Sequence, residues 1–154
     1  MGKYWGIILS SALLEFAARI AAAGLGATFS ANPGLAFGLL KGSPALARAL
    51  PALSLALLLG ALWRLRHRED NRTLRPGLAV MAGGAAANLI DRLLQGAVRD
   101  WIPLPLSGRF IEGGLRFNLA DAEICLGAAA VLWALLSYSR EKGRDEPSPP
   151  SKSF

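Results

Sequence analysis

Asp100 and Asp121 flank a loop that joins two apolar stretches of this 154-residue chain. A carboxylate beside hydrocarbon is costly, so one retained there points to function. Two carboxylates a few ångströms apart cannot both ionise cheaply, and one keeps its proton. Such a pair titrates as a unit. Its ionised member takes a proton from water while its protonated member hydrogen-bonds a scissile carbonyl. Those are the parts needed for acid–base hydrolysis at a lipid surface.

Other hydrolytic designs lack components. The only histidine, His67, lies in an arginine cluster at the opposite membrane face, which excludes a Ser–His or Cys–His pair beside the aspartates. The same shortage argues against zinc, and no metal is expected. Ser43 with Lys41 is the nearest thing to a serine–lysine dyad, and nothing positions it. Cys125, the only cysteine, sits inside an apolar run and reads as a small packing residue. Residue chemistry alone leaves the pairing open, because Asp91 is placed as well as Asp100 to meet Asp121.

The elements that must position these acids are hydrophobic. The chain is 53% hydrophobic with a mean hydropathy of +0.36, too apolar for an ordinary soluble domain. Residues 4–23, 44–63, 74–94 and 119–138 each have the length of a bilayer span, roughly 20 residues. A single four-helix domain over 1–139 is expected, with a Pro- and Ser-rich disordered tail over 140–154. Glu15 and Arg19 interrupt the first run, which favours a retained span over a cleaved leader.

The net charge of +6 is unevenly placed. Arg64, Arg66, Arg68, Arg72 and Arg75 crowd the link between the second and third spans, and Arg140, Lys142 and Arg144 follow the fourth. The positive-inside rule puts both termini and this link in the cytoplasm. The links near 24–43 and 95–118 then face outward, and the acids gather at that outer face. Topology accounts for the basic residues, so no nucleic-acid partner is expected.

Within the spans, Glu15 and Arg19 share one face of a helix, either as a structural ion pair or as part of a site. Gly84, Ala87, Asn88 and Asp91 fall along one face of the third span, where small residues admit a neighbouring helix. Arg48 is placed to snorkel outward, and Pro51 to kink the second span. Phe29, Phe37, Trp101 and Phe110 are expected at the headgroup boundary. The Gly- and Pro-rich outer links predict only short, irregular or β-like structure. The fold class is therefore an all-α membrane protein of four transmembrane helices with a small extracytoplasmic cap.

Four segments, in order, carry a family resemblance. They are Asn32-Pro33-Gly34-Leu35-Ala36-Phe37-Gly38, the stretch from Gly83-Gly84-Ala85 to Asn88 and Asp91-Arg92, Val98-Arg99-Asp100-Trp101-Ile102, and Phe117-Asn118-Leu119-Ala120-Asp121 continuing to Gly127. Together they resemble lipoprotein signal peptidase, or signal peptidase II, a four-span bacterial aspartic protease. The resemblance implies that Asp100 and Asp121 are the catalytic acids and that Asp91 is a supporting residue. It also implies that Asn32, Gly34, Asn88, Arg92, Asn118, Glu15 and Arg19 bind substrate or support the dyad.

The implied reaction removes the signal peptide from a diacylglyceryl-modified prolipoprotein, before the lipidated cysteine. The implied setting is the outer face of the bacterial inner membrane, with a monomeric enzyme, no cofactor, and lipid and prolipoprotein as partners. Four features depart from the family pattern. Glu15 to Arg19 stands where Asp-Gln-x-Thr-Lys is usual, and Trp101 where Phe is usual. The first outer link is short and the stretch from Asp100 to Asp121 slightly long, which bears on substrate preference. Two rivals remain from the residues alone. One is a transporter using Glu15, Arg19, Asp91 and Asp121 as an ion path; the other is a catalytically idle scaffold.

Overall fold

The structure, a computed structural model, describes residues 1–34, 42–67, 73–109 and 114–145. Lys41, Phe37, Arg68, Arg72, Phe110 and the tail beyond 145, all singled out in the sequence, lie outside the described residues.

Four helices, α1 (Gly2–Gly24), α2 (Pro44–Arg64), α3 (Leu74–Gln95) and α4 (Leu119–Asp145), form the body of the protein. Each is long and apolar enough to cross a membrane. Their Ala- and Leu-rich sequences favour helix intrinsically. Hydrocarbon favours it further, because a helix satisfies its own backbone polar groups. Pro44 opens α2 where its missing N–H costs nothing. Gly96 closes α3 in the left-handed region at φ 75°, donating its N–H to the Arg92 carbonyl. Pro51 lies inside α2 without ending it. Helix α4 continues to Asp145, past residue 138 where the sequence ends its apolar span.

Helix α3 is the centre of the bundle. Its apolar window is 56% buried, against 11% for that of α2. Two adjacent glycines explain how it takes neighbours on two sides. A Cβ on Gly83 would lie 2.5 Å from the Ser11 Cβ of α1, and one on Gly84 would lie 2.6 Å from the Ala120 carbonyl of α4. Only the absence of side chains admits both helices this closely. Leu9, Ile20, Leu57, Leu94, Leu126 and Trp133 point outward and are exposed. In water that belt would be an aggregation hazard; against lipid tails it loses nothing.

Among the described residues, four short strands, β1 (Ser30–Asn32), β2 (Val98–Asp100), β3 (Ile102–Pro103) and β4 (Arg116–Phe117), build the cap. Strands β1 and β2 pair antiparallel, with Ser30 opposite Asp100 and Asn32 opposite Val98. Strands β3 and β4 pair antiparallel, with Ile102 opposite Phe117. These two ribbons are the small β-like cap expected from the Gly- and Pro-rich links. They carry Asp100 from one side and deliver the chain into α4 from the other.

Candidate active site

Helix α4 starts with a reciprocal cap. The side-chain Oδ1 of Asn118 accepts the Asp121 backbone N–H at 2.9 Å, and the Asn118 backbone N–H donates to Asp121 Oδ2 at 3.3 Å. This is the logic of a capping box, with Asp at the third helical position. It orients the Asp121 carboxyl at the helix N-terminus, where the macrodipole favours negative charge. Asn88 of α3 donates to the other carboxyl oxygen, Oδ1, at 2.8 Å.

The same asparagine reaches Asp100. Asn118 Nδ2 donates to Asp100 Oδ1 at 2.9 Å and to Asn88 Oδ1 at 3.0 Å. Asn32 on β1 donates to Asp100 Oδ2 at 3.2 Å. One fully buried amide, 1% exposed, thus ties both aspartates into a single network. Burial, and then the negative charge of Asp121, push the Asp100 carboxyl up to about 6 from its ordinary 3.8. The Asn32 and Asn118 hydrogen bonds and the Arg92 charge pull the other way. A carboxyl held near that value exchanges its proton at physiological pH, as a general acid or base must.

Arg92 frames the site from α3. Its Nη2 donates to the Gly34 carbonyl at 3.0 Å and its Nη1 to the Asn88 carbonyl at 3.2 Å. Gly34 in turn donates its N–H to Asn32 Oδ1 at 3.1 Å, which holds the Asn32 amide toward Asp100. Asn32, Gly34, Asn88, Arg92 and Asn118 are therefore brought together around the two aspartates, in a polar shell built from three elements and the turn after β1.

Asp91, the alternative partner that residue chemistry left open, is engaged elsewhere. It accepts a hydrogen bond from Arg19 Nη1 and another from Arg99 Nη2, the latter at 3.2 Å, and the Arg99 backbone N–H approaches at 3.4 Å. Glu15 and Arg19 do pair, at 3.9 Å, but the tighter partner of Arg19 is Asp91. Glu15 spends its Oε2 on the backbone N–H of Ala120. These charges brace α1, α3, β2 and α4 against one another. With Glu15, Arg19 and Asp91 locked into that frame, the geometry offers no support for an ion path through them. Glu123 is buried facing Ser11 and lines a separate cleft beside α1.

Two cavities meet at Asp121, and Asp100 borders the first of them. One, of about 630 Å³, is bordered by Asn32, Asp100, Leu104, Leu115, Asp121 and Cys125. The other, of about 640 Å³, lies between α2, α3 and α4 and includes Pro51, Leu57, Met81, Asn88 and Asp121. Cys125 is exposed on the first of these rather than packed inside α4. It falls one helical turn from Asp121, and that spacing puts it on the same face. The indole nitrogen of Trp101 is buried within the protein.

Residue reading did not single out Arg99 or Arg116. Arg116 Nη1 donates to the Thr28 carbonyl at 2.9 Å and to the Trp101 carbonyl at 3.4 Å, clasping the loop after α1 to the cap. Neither arginine carries a sequence signal, because each sits in a strand too short for periodicity to register. The Asn118–Asp121 cap does carry one, an Asn three residues before an Asp at the head of an apolar run.

A family model described as signal peptidase (SPase) II matches residues 4–137. The chain is 36% identical over 109 residues to the lipoprotein signal peptidase of Polynucleobacter necessarius, covering 70% of this chain and 65% of that one. It is 43% identical over 86 residues to the lipoprotein signal peptidase of an Azoarcus species, covering 56% of this chain and 47% of that one. It thus spans less than two thirds of the length of these two relatives. A solved structure described as a bacterial membrane enzyme superposes with a TM-score of 0.74 at 22% identity, covering 96% of each chain, and so shares the fold. With nearly its whole apolar length matched, the chain belongs to the signal peptidase II family.

Proposed function

We propose that this protein is an aspartic endopeptidase of the bacterial inner membrane. It removes the signal peptide from diacylglyceryl-modified prolipoproteins, cutting before the lipidated cysteine. The observation that carries this reading is the sharing of Asn118 between Asp100 and Asp121, in a cavity at the junction of cap and bundle.

In the resting dyad one proton is shared between the two carboxyls. The ionised member takes a proton from water as the water attacks the scissile carbonyl, and the protonated member hydrogen-bonds the carbonyl oxygen. The proton is then passed to the leaving amine, so no covalent intermediate forms. Asn32, Asn88 and Asn118 orient the carboxyls, and Arg92 offsets their charge while its contact with Gly34 holds the turn after β1. The cleft between α2, α3 and α4 is suited to a signal-peptide helix. The cap-side cavity, with Leu104, Leu115 and Cys125, is suited to the lipidated residue.

The arginines at the inner ends of α2 and α3 support cytoplasmic termini and an outward-facing dyad. Residues 1–139 form the catalytic unit, which works as a monomer. The test is to incubate the purified protein with a diacylated prolipoprotein and an unlipidated control, and to weigh the products by mass spectrometry. Cleavage before the lipidated cysteine, confined to the lipidated precursor, is the expected result.

A further inference from the structure

Glu15 lies behind the dyad, on a helix that carries neither aspartate. Its Oε2 accepts the N–H of Ala120 at 3.2 Å, and Ala120 immediately precedes Asp121. The same carboxyl faces the indole N–H of Trp101, which immediately follows Asp100. Trp101 Nε1 and Glu15 Oε1 are both buried. The nearest charge to Oε1 is Arg19 Nη1, at 3.9 Å. Buried donors and acceptors are rarely left unpaired, and a buried indole N–H facing a buried carboxyl satisfies both groups.

The main chain of Trp101 is held from the cap side. Its N–H donates to the Phe117 carbonyl at 3.0 Å and its carbonyl accepts from Arg116 Nη1 at 3.4 Å. Phe117 leads directly into Asn118 and α4. The indole is therefore the free arm of a residue whose backbone is already coupled to the α4 entry.

We propose that Trp101 and Glu15 form a strut that sets the separation of the two catalytic carboxyls. The Trp101 N–H, held by the Glu15 carboxyl, ties the residue after Asp100 to the residue before Asp121. Both are positioning residues: Trp101 acts through Glu15, and Glu15 acts through the backbone of Ala120. The inference rests on the endopeptidase reading above and adds a positioning contact to it.

The test is a double-mutant cycle on cleavage of a lipidated precursor, with Trp101→Phe, Glu15→Ala and the two combined. Trp101→Phe keeps an aromatic ring and deletes only the donor. It is expected to lower kcat about five- to tenfold with KM within about twofold, the pattern of an interaction made on the way to the transition state. The combined variant is expected to be no slower than Glu15→Ala alone, because residues acting as a unit are not additive. Glu15→Gln, which keeps an acceptor oxygen, restores most of the loss. Wild-type kcat in Trp101→Phe, or additive losses in the double variant, would overturn the strut.

A second readout separates this from the activity itself. The indole N–H of Trp101, identified by its absence in Trp101→Phe, is followed by NMR of tryptophan-labelled protein in micelles. It is expected to be protected from exchange in the wild type and to lose protection in Glu15→Ala. Absence of cleavage by the wild type would overturn the endopeptidase reading alone. Exchange indifferent to Glu15 would overturn the strut whether or not cleavage is seen.

Discussion

Asn118 and Asp121 cap each other: the asparagine side chain accepts the aspartate N–H at 2.9 Å, and its backbone N–H donates to the aspartate carboxyl at 3.3 Å. The free amide hydrogens of Asn118 are then left for Asp100 and Asn88. A helix-capping interaction and the joining of Asp100 to Asp121 are thus one structural event. Replacing Asn118 separates the consequences. Asn118→Ala is expected to destabilise the start of α4 by about 0.5–2 kcal/mol. It also releases Asp100, so cleavage should fall by more than about tenfold. Asn118→Ser keeps a capping oxygen without adding charge and should retain most of the melting temperature while losing activity, as read by thermal unfolding in detergent beside a cleavage assay.

Asp100→Asn and Asp121→Asn are each expected to abolish processing, by roughly 10²–10⁴ in rate, while the protein stays in the membrane. Turnover of a lipidated precursor by the purified variants, normalised to protein, checks this. Near-normal cleavage by either would sink the dyad assignment.

The pH dependence follows from the raised proton affinity of Asp100. Its folded value of about 6 lies above its ordinary 3.8, so the singly protonated dyad of the free enzyme is lost as pH rises through about 6. The alkaline limb of kcat/KM should therefore show an apparent pKa near that value. The Asn32 hydrogen bond holds the value down, so Asn32→Ala should move the limb upward. A limb that stays put or moves downward contradicts this account.

The same shift has a consequence for stability. A folded carboxyl that binds its proton more tightly than the unfolded one favours the fold fully below the unfolded value, and that advantage is lost as pH rises through the folded value. Asp100→Asn, which cannot ionise, should therefore melt higher than the wild type at pH 7.5. The difference should shrink as pH falls through about 6 and vanish below 3.8. Melting curves of the two proteins across that range decide it.

Asp91 should behave as a structural acid. It is buried between Arg19 and Arg99, and removing one partner of a buried ion pair costs about 3–5 kcal/mol. Asp91→Asn is expected to lower yield and melting temperature first, with activity falling in proportion to folded protein. Arg99→Ala should cost less, because the Arg99 side chain is 41% exposed. A fully stable but inactive Asp91→Asn would place Asp91 in the chemistry instead.

Much of this protein is legible in its residues because a bilayer leaves few options. Apolar runs of span length must be helices, and in α3 and α4 their bounds follow closely from Leu74 and Leu119. Gly83 and Gly84 announce a crowded helix, although only the packed bundle reveals that one glycine faces Ser11 and the next faces Ala120. The cap was less legible. Strands of two or three residues, such as β3 and β4, are too short for periodicity to register. The role of Arg116 depends on contacts with carbonyls far away in sequence.

The acids show the division most clearly. Residue type and hydropathy alone determined that several carboxylates gather at one end of a four-helix bundle, because the cost of burying charge in hydrocarbon allows little else. They did not determine which acids face each other, since Asp91 and Asp100 lie at similar depth. Tertiary structure decided that. Arg19 and Arg99 converge on Asp91 and neutralise it, while the Asn118 amide joins Asp100 to Asp121. The physical reason is that a carboxylate's role is set by the donors that surround it, and those donors arrive from helices and strands that only the fold brings together.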